Sequence, residues 1–370
     1  MRMLNKMKMT ISVMMGVIVM IAASAFADEN EFGKVEDVKD VKEKNYVIAP
    51  MVISNPNLGS GGGLTALYFY SPDPDDQVSP PSTVGGVGIY TNTDTYFIAL
   101  FNKNHFQEDT WRFSTGIVNG RIKNELNIPA LGEVRFTTRV KGIGTQLQRR
   151  IWGDFFAGVK LAYSGVSYKE GNEASKDYFE HYGVEDQDTG SWSILMSYDS
   201  RDDQRYPYKG VLAEAGFTAN PEWLGASEGY YVVEGSANSF HQLIPDHVLA
   251  LRVYGRFTPS DTPYAGLSSL GRRSDLRGYV SGEIVAENMI STQAEYRWFF
   301  TRKWGIVGFG GVATLYDGNV TNINSDIIYY SGGVGLRYLL HAENRVNFRV
   351  DYAWGEDGEK GFYVSISEAF

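Results

Sequence analysis

The sequence predicts an all-β fold, a transmembrane antiparallel β-barrel of 16 strands. Three observations predict it. First, Gly (41), Tyr (24) and Phe (20) are abundant while Cys is absent, and no apolar stretch beyond the first 27 residues approaches the ~20 residues of a spanning helix. Second, from Tyr46 onward the chain falls into short alternating runs punctuated by Gly, Pro, Asn and Asp, the pattern of successive strands and turns. Third, the apolar rows end in aromatic pairs while the opposite rows carry ions. In "ISTQAEYRWFF", Ile290, Thr292, Ala294, Tyr296, Trp298 and Phe300 share one face, and Ser291, Gln293, Glu295 and Arg297 the other. In "RVNFRVDYAW", Val346, Phe348, Val350, Tyr352 and Trp354 alternate with Asn347, Arg349, Asp351 and Ala353. A sandwich strand also alternates, but its apolar face seldom ends in Tyr-x-Trp. An interfacial aromatic girdle and a wet lumen explain both rows.

At the amino terminus, Arg2, Lys6 and Lys8 precede an apolar run from Thr10 to Ile21, and "ASAFA" places Ala25 and Ala27 around a small-residue cleavage site. Residues 1–27 therefore read as a secretory signal peptide. The rest of the chain carries 31 basic against 44 acidic side chains, a net charge of about −13, which argues against nucleic acid as a partner. Without Cys, an exported chain of this kind relies on hydrogen bonds and burial rather than disulfides. Residues 28–45 form a short charged periplasmic segment, read as a mobile tail, and residues 46–370 form the barrel.

The first strand is "YVIAPMVIS", followed by the turn "NPNLGSG", the strand "GGLTALYFYS" and the loop "PDPDDQVSPPS". "TVGGVGIYT" and "TYFIALFNK" flank a tight turn at Asn92–Asp94, and "TWRFSTGIV" is the fifth strand. The sixth runs from about Glu133 to Gln148 and the seventh from Phe155 to Tyr168, with a long polar loop over Lys169–Thr189. "SWSILMSY", "VLAEAGFTA", Tyr230–Gln242 and Val248–Phe257 are strands eight to eleven, and strands twelve to sixteen centre on 284–300, 304–316, 329–340, 345–355 and 362–370. The count is even, as single-chain outer-membrane barrels require.

Four passages resemble the outer-membrane assembly-factor superfamily, also called the bacterial surface antigen family, which includes Bam- and Tam-type insertases and two-partner secretion transporters. "DLRGYVSGE" looks like its Arg-Gly-Tyr/Phe motif, in the loop between strands eleven and twelve. The resemblance implies that this loop folds back into the lumen. Arg277 would then point inward, Gly278 permit the sharp turn and Tyr279 pack on the wall. "YDSRDDQRYPYKG" is similar to an Asp-x-Arg-Asp…Pro-x-x-Gly turn between strands eight and nine, supplying Asp199, Arg201, Asp202, Pro207 and Gly210. With both termini periplasmic, that turn is periplasmic. Its residue types read as structural: acids accept backbone N–H bonds, Pro fixes φ, and Gly allows positive φ. Gln293 and Glu295 match a Gln-x-Glu element facing the lumen, and a lumen carboxylate can pair with Arg277 through two parallel charge-assisted bonds. "NPNLGSGGGLTALYFY" resembles the start of the family barrel.

Two departures stand out. Strand thirteen reads "VGFGGVAT", with Gly310 or Gly311 where the family carries an Asp, so Glu295 or Asp351 is expected to substitute as partner of Arg277. The 18 residues before Tyr46 are too few for even one of the periplasmic repeat domains of the family's insertases. The chain's end is also informative: Phe362, Val364, Ile366 and Phe370 are expected on one face, ending in an aromatic residue as outer-membrane barrels do, with Glu368 interrupting the row.

Other chemistry has little support. Five His (105, 181, 241, 247, 341) show no ligand spacing, and "GSGGGL" lacks the Lys of a phosphate loop. Neither cofactor nor metal is expected, and no enzymatic activity. The leading reading is an outer-membrane barrel of a Gram-negative bacterium that assists insertion or translocation of proteins or lipids through the seam between strands one and sixteen. Pro50 and Phe370 are expected at that seam, because Pro cannot donate to a ladder. Outer-membrane lipid, unfolded outer-membrane or exported proteins, and a separate periplasmic partner are the expected contacts. A passive or plugged channel is the alternative, and an outer-membrane Ser/His hydrolase a third reading.

Overall fold

The computed structural model describes residues 44–55, 59–128, 131–226, 228–271, 276–279, 284–317 and 328–370. The expected signal peptide, and the charged segment up to residue 43, lie outside the described residues. Sixteen strands form one antiparallel sheet: β1 (Tyr46–Asn55), β2 (Gly59–Tyr70), β3 (Ser82–Thr91), β4 (Tyr96–Phe106), β5 (Trp111–Ile128), β6 (Gly132–Trp152), β7 (Phe155–Glu170), β8 (Gln187–Asp199), β9 (Gly210–Asn220), β10 (Tyr230–Ile244), β11 (His247–Phe257), β12 (Asn288–Phe299), β13 (Trp304–Tyr316), β14 (Ile328–His341), β15 (Val346–Trp354) and β16 (Lys360–Ile366). Each pairs with its sequence neighbours, and the sheet curls into a nearly closed barrel. One junction is unsealed: β1 and β16 lie side by side at the ends of the strand order, and no ladder joins them among the described residues.

The two faces of the wall differ as the alternation demands. On β12, Ser291, Gln293, Glu295 and Arg297 are buried while Ile290, Tyr296 and Trp298 are exposed. Ile98 and Leu100 of β4, Val159 and Leu161 of β7, Ile194 and Met196 of β8, and Val334 of β14 continue an exposed apolar belt around the outside. Exposure on this scale in water would be unfavourable; facing lipid it is the stable arrangement. Tyr198, Trp298 and Phe300 lie at the end of the belt that carries the termini, and Tyr90, Tyr330 and Trp354 at the opposite end.

Three elements depart from expectation. β5 and β6 run 18 and 21 residues, well beyond the ~10 of a spanning strand, and their hairpin continues past the belt. The loop read as irregular over Lys169–Thr189 contains a helix, α1 (Glu173–Tyr182). Asn172 and Ser175 form its capping box, and Gly183 closes it at φ 58°. Buried Tyr178 of α1 packs with Leu126, Ile128, Val134 and Phe136 of that hairpin. Finally, the last strand stops at Ile366, and Ser367 adopts φ 68°, turning the remaining residues away from the sheet.

Candidate functional site

The inner face of β12–β16 carries a dense, buried ion network. Glu295 on β12 accepts from Arg277 Nη2 at 2.8 Å and from Arg297 Nη2 at 2.9 Å. Asp351 on β15 accepts from Arg277 Nη1 at 2.5 Å and from Arg337 Nη1 on β14 at 2.6 Å. Both carboxylates are fully buried, as are Arg297 and Arg337, and Arg277 is 2% exposed. Charges so far from water persist only when paired and hydrogen-bonded, and each acid here holds two guanidinium partners. Arg277 therefore does not choose between the two candidate acids; one fork spans both.

The loop around Arg277 is held by shape as well as charge. The guanidinium stacks on the Phe309 ring, 3.4 Å from its centroid, a cation–π contact in a dry setting. Gly278 sits at φ 109°, and a Cβ there would meet the backbone of Trp354 and Gly355 at 2.9 Å, so a side chain is excluded twice over. Its N–H donates to Tyr363 Oη at 2.8 Å, tying the loop to β16. Tyr279 donates to the Tyr330 carbonyl at 2.6 Å and packs edge-on against Tyr329. Ser331 Oγ donates to the Arg277 carbonyl. Gln293, matched to the lumen element, is buried on the same face of β12 as Glu295.

Strand thirteen explains its missing acid. Gly311 faces the loop, where a Cβ would lie 2.6 Å from the Thr292 carbonyl and 2.9 Å from Leu276 Cδ1. Leu276 is completely buried beside Met289, Ala313 and Leu315. An apolar side chain occupies the space that a carboxylate at this position would need.

The carboxyl-terminal residues overturn one expectation. Phe370 does not continue the outer apolar row at the seam. It lies inside, packed with Tyr208 against Phe240, Val248 and Ala250, and its carbonyl accepts from Arg297 Nη2 at 2.8 Å. Glu368, the residue that interrupted the row, accepts from Arg337 Nε at 2.7 Å and Asn347 Nδ2 at 3.0 Å. The break in alternation at Glu368 was the sequence signal for this inward tail. Arg337, which bridges Asp351 and Glu368, carried no such signal.

The β8–β9 turn closes the terminal end of the lumen. Asp199 accepts from Arg201 at 2.7 Å and Arg112 at 2.9 Å. Asp202 accepts from the backbone of Tyr208 and Lys209 and from Arg345 Nη1 at 2.7 Å, across to the β14–β15 turn. Burial alone would raise the Asp202 carboxyl, but Arg345 and those N–H donors hold it below the usual carboxylate range. Pro207 is buried, and Gly210 opens β9 at φ 104°. Of these five residues, Asp202 bridges to the β14–β15 turn and Asp199 to Arg112 on β5, while Arg201 bonds within its own turn.

Pro50 lies in the middle of β1, in register with Leu64, rather than at the strand's start. The Phe69 amide donates to the Asn45 carbonyl, which fixes the parity of this ladder: Val47, Ala49 and Met51 bond to β2. The nitrogen of Pro50 therefore faces the seam, where it has no hydrogen to offer. By the same parity, the Ser367 amide bonded to the Asn347 carbonyl turns the amides of Phe362, Val364 and Ile366 toward the seam. At the terminal end the junction is covered by side chains instead: Ile366 packs with Val47, Phe69 and Val346, and His341 Nε2 bonds the Lys44 carbonyl at 2.9 Å.

The sequence matches the Omp85 superfamily domain over residues 82–370. The chain belongs to the Omp85 superfamily. Its barrel is similar to that of BamA from Haemophilus ducreyi lacking POTRA domains 1-3, with TM-score 0.55 and 13% identity over 88% of this chain and 69% of that one. It is also similar to CdiB from Escherichia coli (TM-score 0.63, 12% identity, 90% of this chain and 64% of that one). CdiB from Acinetobacter baumannii gives TM-score 0.58 at 10% identity, covering 87% and 58%. At these identities the likeness is one of fold, and the chain spans about three-fifths to two-thirds of each neighbour's length. No curated protein matches it in sequence. As an Omp85 barrel it is an outer-membrane protein, and the Arg277 network sits on the last five strands of the domain.

Proposed function

We propose that this Omp85 barrel assists insertion or translocation of a polypeptide at the outer membrane through the β1–β16 seam. The observation that carries this reading is the seam itself. A strand edge in lipid leaves backbone groups unsatisfied, so an edge strand from another chain would be stabilised by pairing there, as in strand addition. Pro50 weakens the competing closure of β1 on β16 without disturbing the β1–β2 ladder. The Arg277 loop, bound to Asp351 on β15 and Tyr363 on β16, braces one lip of the opening. Unfolded outer-membrane or exported proteins are the substrates in this reading, delivered by a periplasmic partner, with the first 27 residues acting as the export signal.

A disulfide between a cysteine placed along Tyr46–Met51 and one along Phe362–Ile366 tests it in a reconstituted barrel-folding assay. Locking the seam should abolish assistance, and reduction should restore it; a locked barrel that assists as well as the open one refutes the reading. The alternative is a plugged channel, favoured by the buried ion network and by the turn that spans the terminal end. Steady conductance in planar bilayers that appears in Arg277→Ala, with no folding activity in either form, would select it.

A further inference from the structure

A cavity of about 480 Å³ lies inside the barrel against the seam, within the roughly 300–1,000 Å³ of small-molecule sites. Both lips contribute to it, Met51 from β1 and Ser365 and Ile366 from the end of β16. Its lining changes character along the barrel axis. One part of it is mostly apolar, Met51, Leu67, Val87 and Phe101 with the Thr65 hydroxyl among them; the part nearer the terminal end is polar, with Thr83, Lys103, His105, Gln204 and Arg205. Apolar surface thus sits at the depth of the membrane core, and cations sit where headgroups lie.

The carboxylates nearest the two cations are already engaged: Asp203, beside Arg205, accepts the Arg205 and Tyr206 amides at 2.7 Å each. Asp109 is engaged by His105, Arg112 and Arg150, and Asp199 by Arg112 and Arg201. Lys103 Nζ donates to Gln204 Oε1 at 2.8 Å. Arg205 Nη2 donates to Thr83 Oγ1 at 3.0 Å and to the Pro81 carbonyl at 3.3 Å, and its guanidinium lies 4.6 Å from the centroid of the Phe69 ring. Neither cation forms an ion pair among the described residues. A partly buried Lys and Arg facing one cavity with neutral partners favour an anion there. An ammonium, a guanidinium fork and a hydroxyl within one wall suit tetrahedral phosphate oxygens. A free anion would leave the apolar half unfilled.

We propose that this cavity binds a phosphate-headed acyl lipid, its head at Lys103 and Arg205 and its chain along Met51, Leu67 and Phe101. The site stands on its own geometry and does not depend on the polypeptide reading above. Native mass spectrometry of the delipidated full-length barrel in a non-ionic detergent tests it, with three probes: dodecyl phosphate, inorganic phosphate and dodecyltrimethylammonium. Dodecyl phosphate should be retained at one per barrel and the other two should not. Lys103→Gln and Arg205→Gln should each weaken dodecyl phosphate about tenfold, the effect of losing one charge-assisted hydrogen bond. Equal retention of dodecyltrimethylammonium would overturn the headgroup assignment, and equal retention of inorganic phosphate would overturn the acyl slot. Unchanged binding in a Lys103→Gln, Arg205→Gln double variant that still shows the heat-modifiable gel shift of a folded barrel would overturn the site altogether. The three-probe comparison on the wild-type chain decides the matter even where a variant does not fold.

Discussion

Replacing Arg277 with Ala removes two charge-assisted hydrogen bonds and the stack on Phe309, yet leaves no acid alone. Glu295 keeps Arg297 at 2.9 Å and Asp351 keeps Arg337 at 2.6 Å. The penalty therefore falls at the low end of the ~3–5 kcal/mol incurred when a buried charge loses its partner. Two bonds to charged groups contribute about 1.5–3 kcal/mol each, offset by the desolvation that Arg277 no longer suffers. A net loss of about 3 kcal/mol in loop docking corresponds to a roughly hundredfold rise in the undocked population. The amide of Gly278 is the natural reporter, because its donation to Tyr363 exists only while the loop is docked. Hydrogen exchange at Gly278 should accelerate about a hundredfold in Arg277→Ala. Arg277→Lys should fall between, since an ammonium is a point charge that cannot span both acids as a fork does. Protection in Arg277→Ala within a few-fold of wild type would refute the reasoning and place the anchorage on Leu276 and Tyr279.

Gly311→Asp, which installs the acid that the family resemblance leads one to expect, should destabilise the barrel by about 1–3 kcal/mol through overpacking against Leu276, read as an earlier loss of the heat-modifiable gel shift. Glu368→Ala leaves Arg337 with Asp351 and removes the side-chain ion pair that ties the tail to the wall, so carboxypeptidase should trim its last residues faster than those of wild type. At the terminal end, hydrogen bonds from Ser79 and from the Glu108 amide hold the Asp76 carboxyl down at about 2; burial would raise Asp109, but His105 and Arg112 outweigh it and depress that carboxyl as well. Depressed carboxyls stabilise fully above the unfolded value of about 4 and lose that contribution as pH falls through the folded one; exchange in the 71–81 turn should thus rise between pH 4 and 2, and Asp76→Asn should flatten that rise.

The strand count and the facing of β12 and β15 were legible because period-two alternation is local: each residue's face follows from its neighbour's. The helix α1 was legible too, though missed. Asn172 and Ser175 supply a capping box and Gly183 a stop, signals that a polar stretch between strands makes easy to pass over. What no local pattern could provide was the partnership among Arg277, Glu295, Asp351 and Arg337. They come from a loop and three strands brought together only by the pairing and curvature of the sheet and by the inward fold of the loop, and a lone Arg on β14 reads like any lumen charge. The inward tail lies between these cases. Glu368 marked where alternation fails, but where Phe370 goes depended on Arg297 and Tyr208, far away in sequence.

The two lips of the seam are not equivalent. β16 is tied beyond its own ladder: Tyr363 accepts from Gly278, and the tail beyond it reaches Arg337 and Arg297 on β14 and β12. β1 has its ladder to β2, apolar cover near Val47 and one bond at Lys44, and Pro50 withholds a donor on the seam side. Local opening takes the path of the weaker set of contacts. Separation at the seam should therefore move the β1–β2 hairpin while β16 stays with the wall. The ladder amides make this measurable, since Val47, Ala49 and Met51 bond to β2 as Tyr363 and Ser365 bond to β15. An opening free energy lower by about 1.4 kcal/mol on the β1 side makes its ladder amides exchange about tenfold faster than those of β16. Equal protection of the two sets would mean that the lips open together, and that the ion network braces neither.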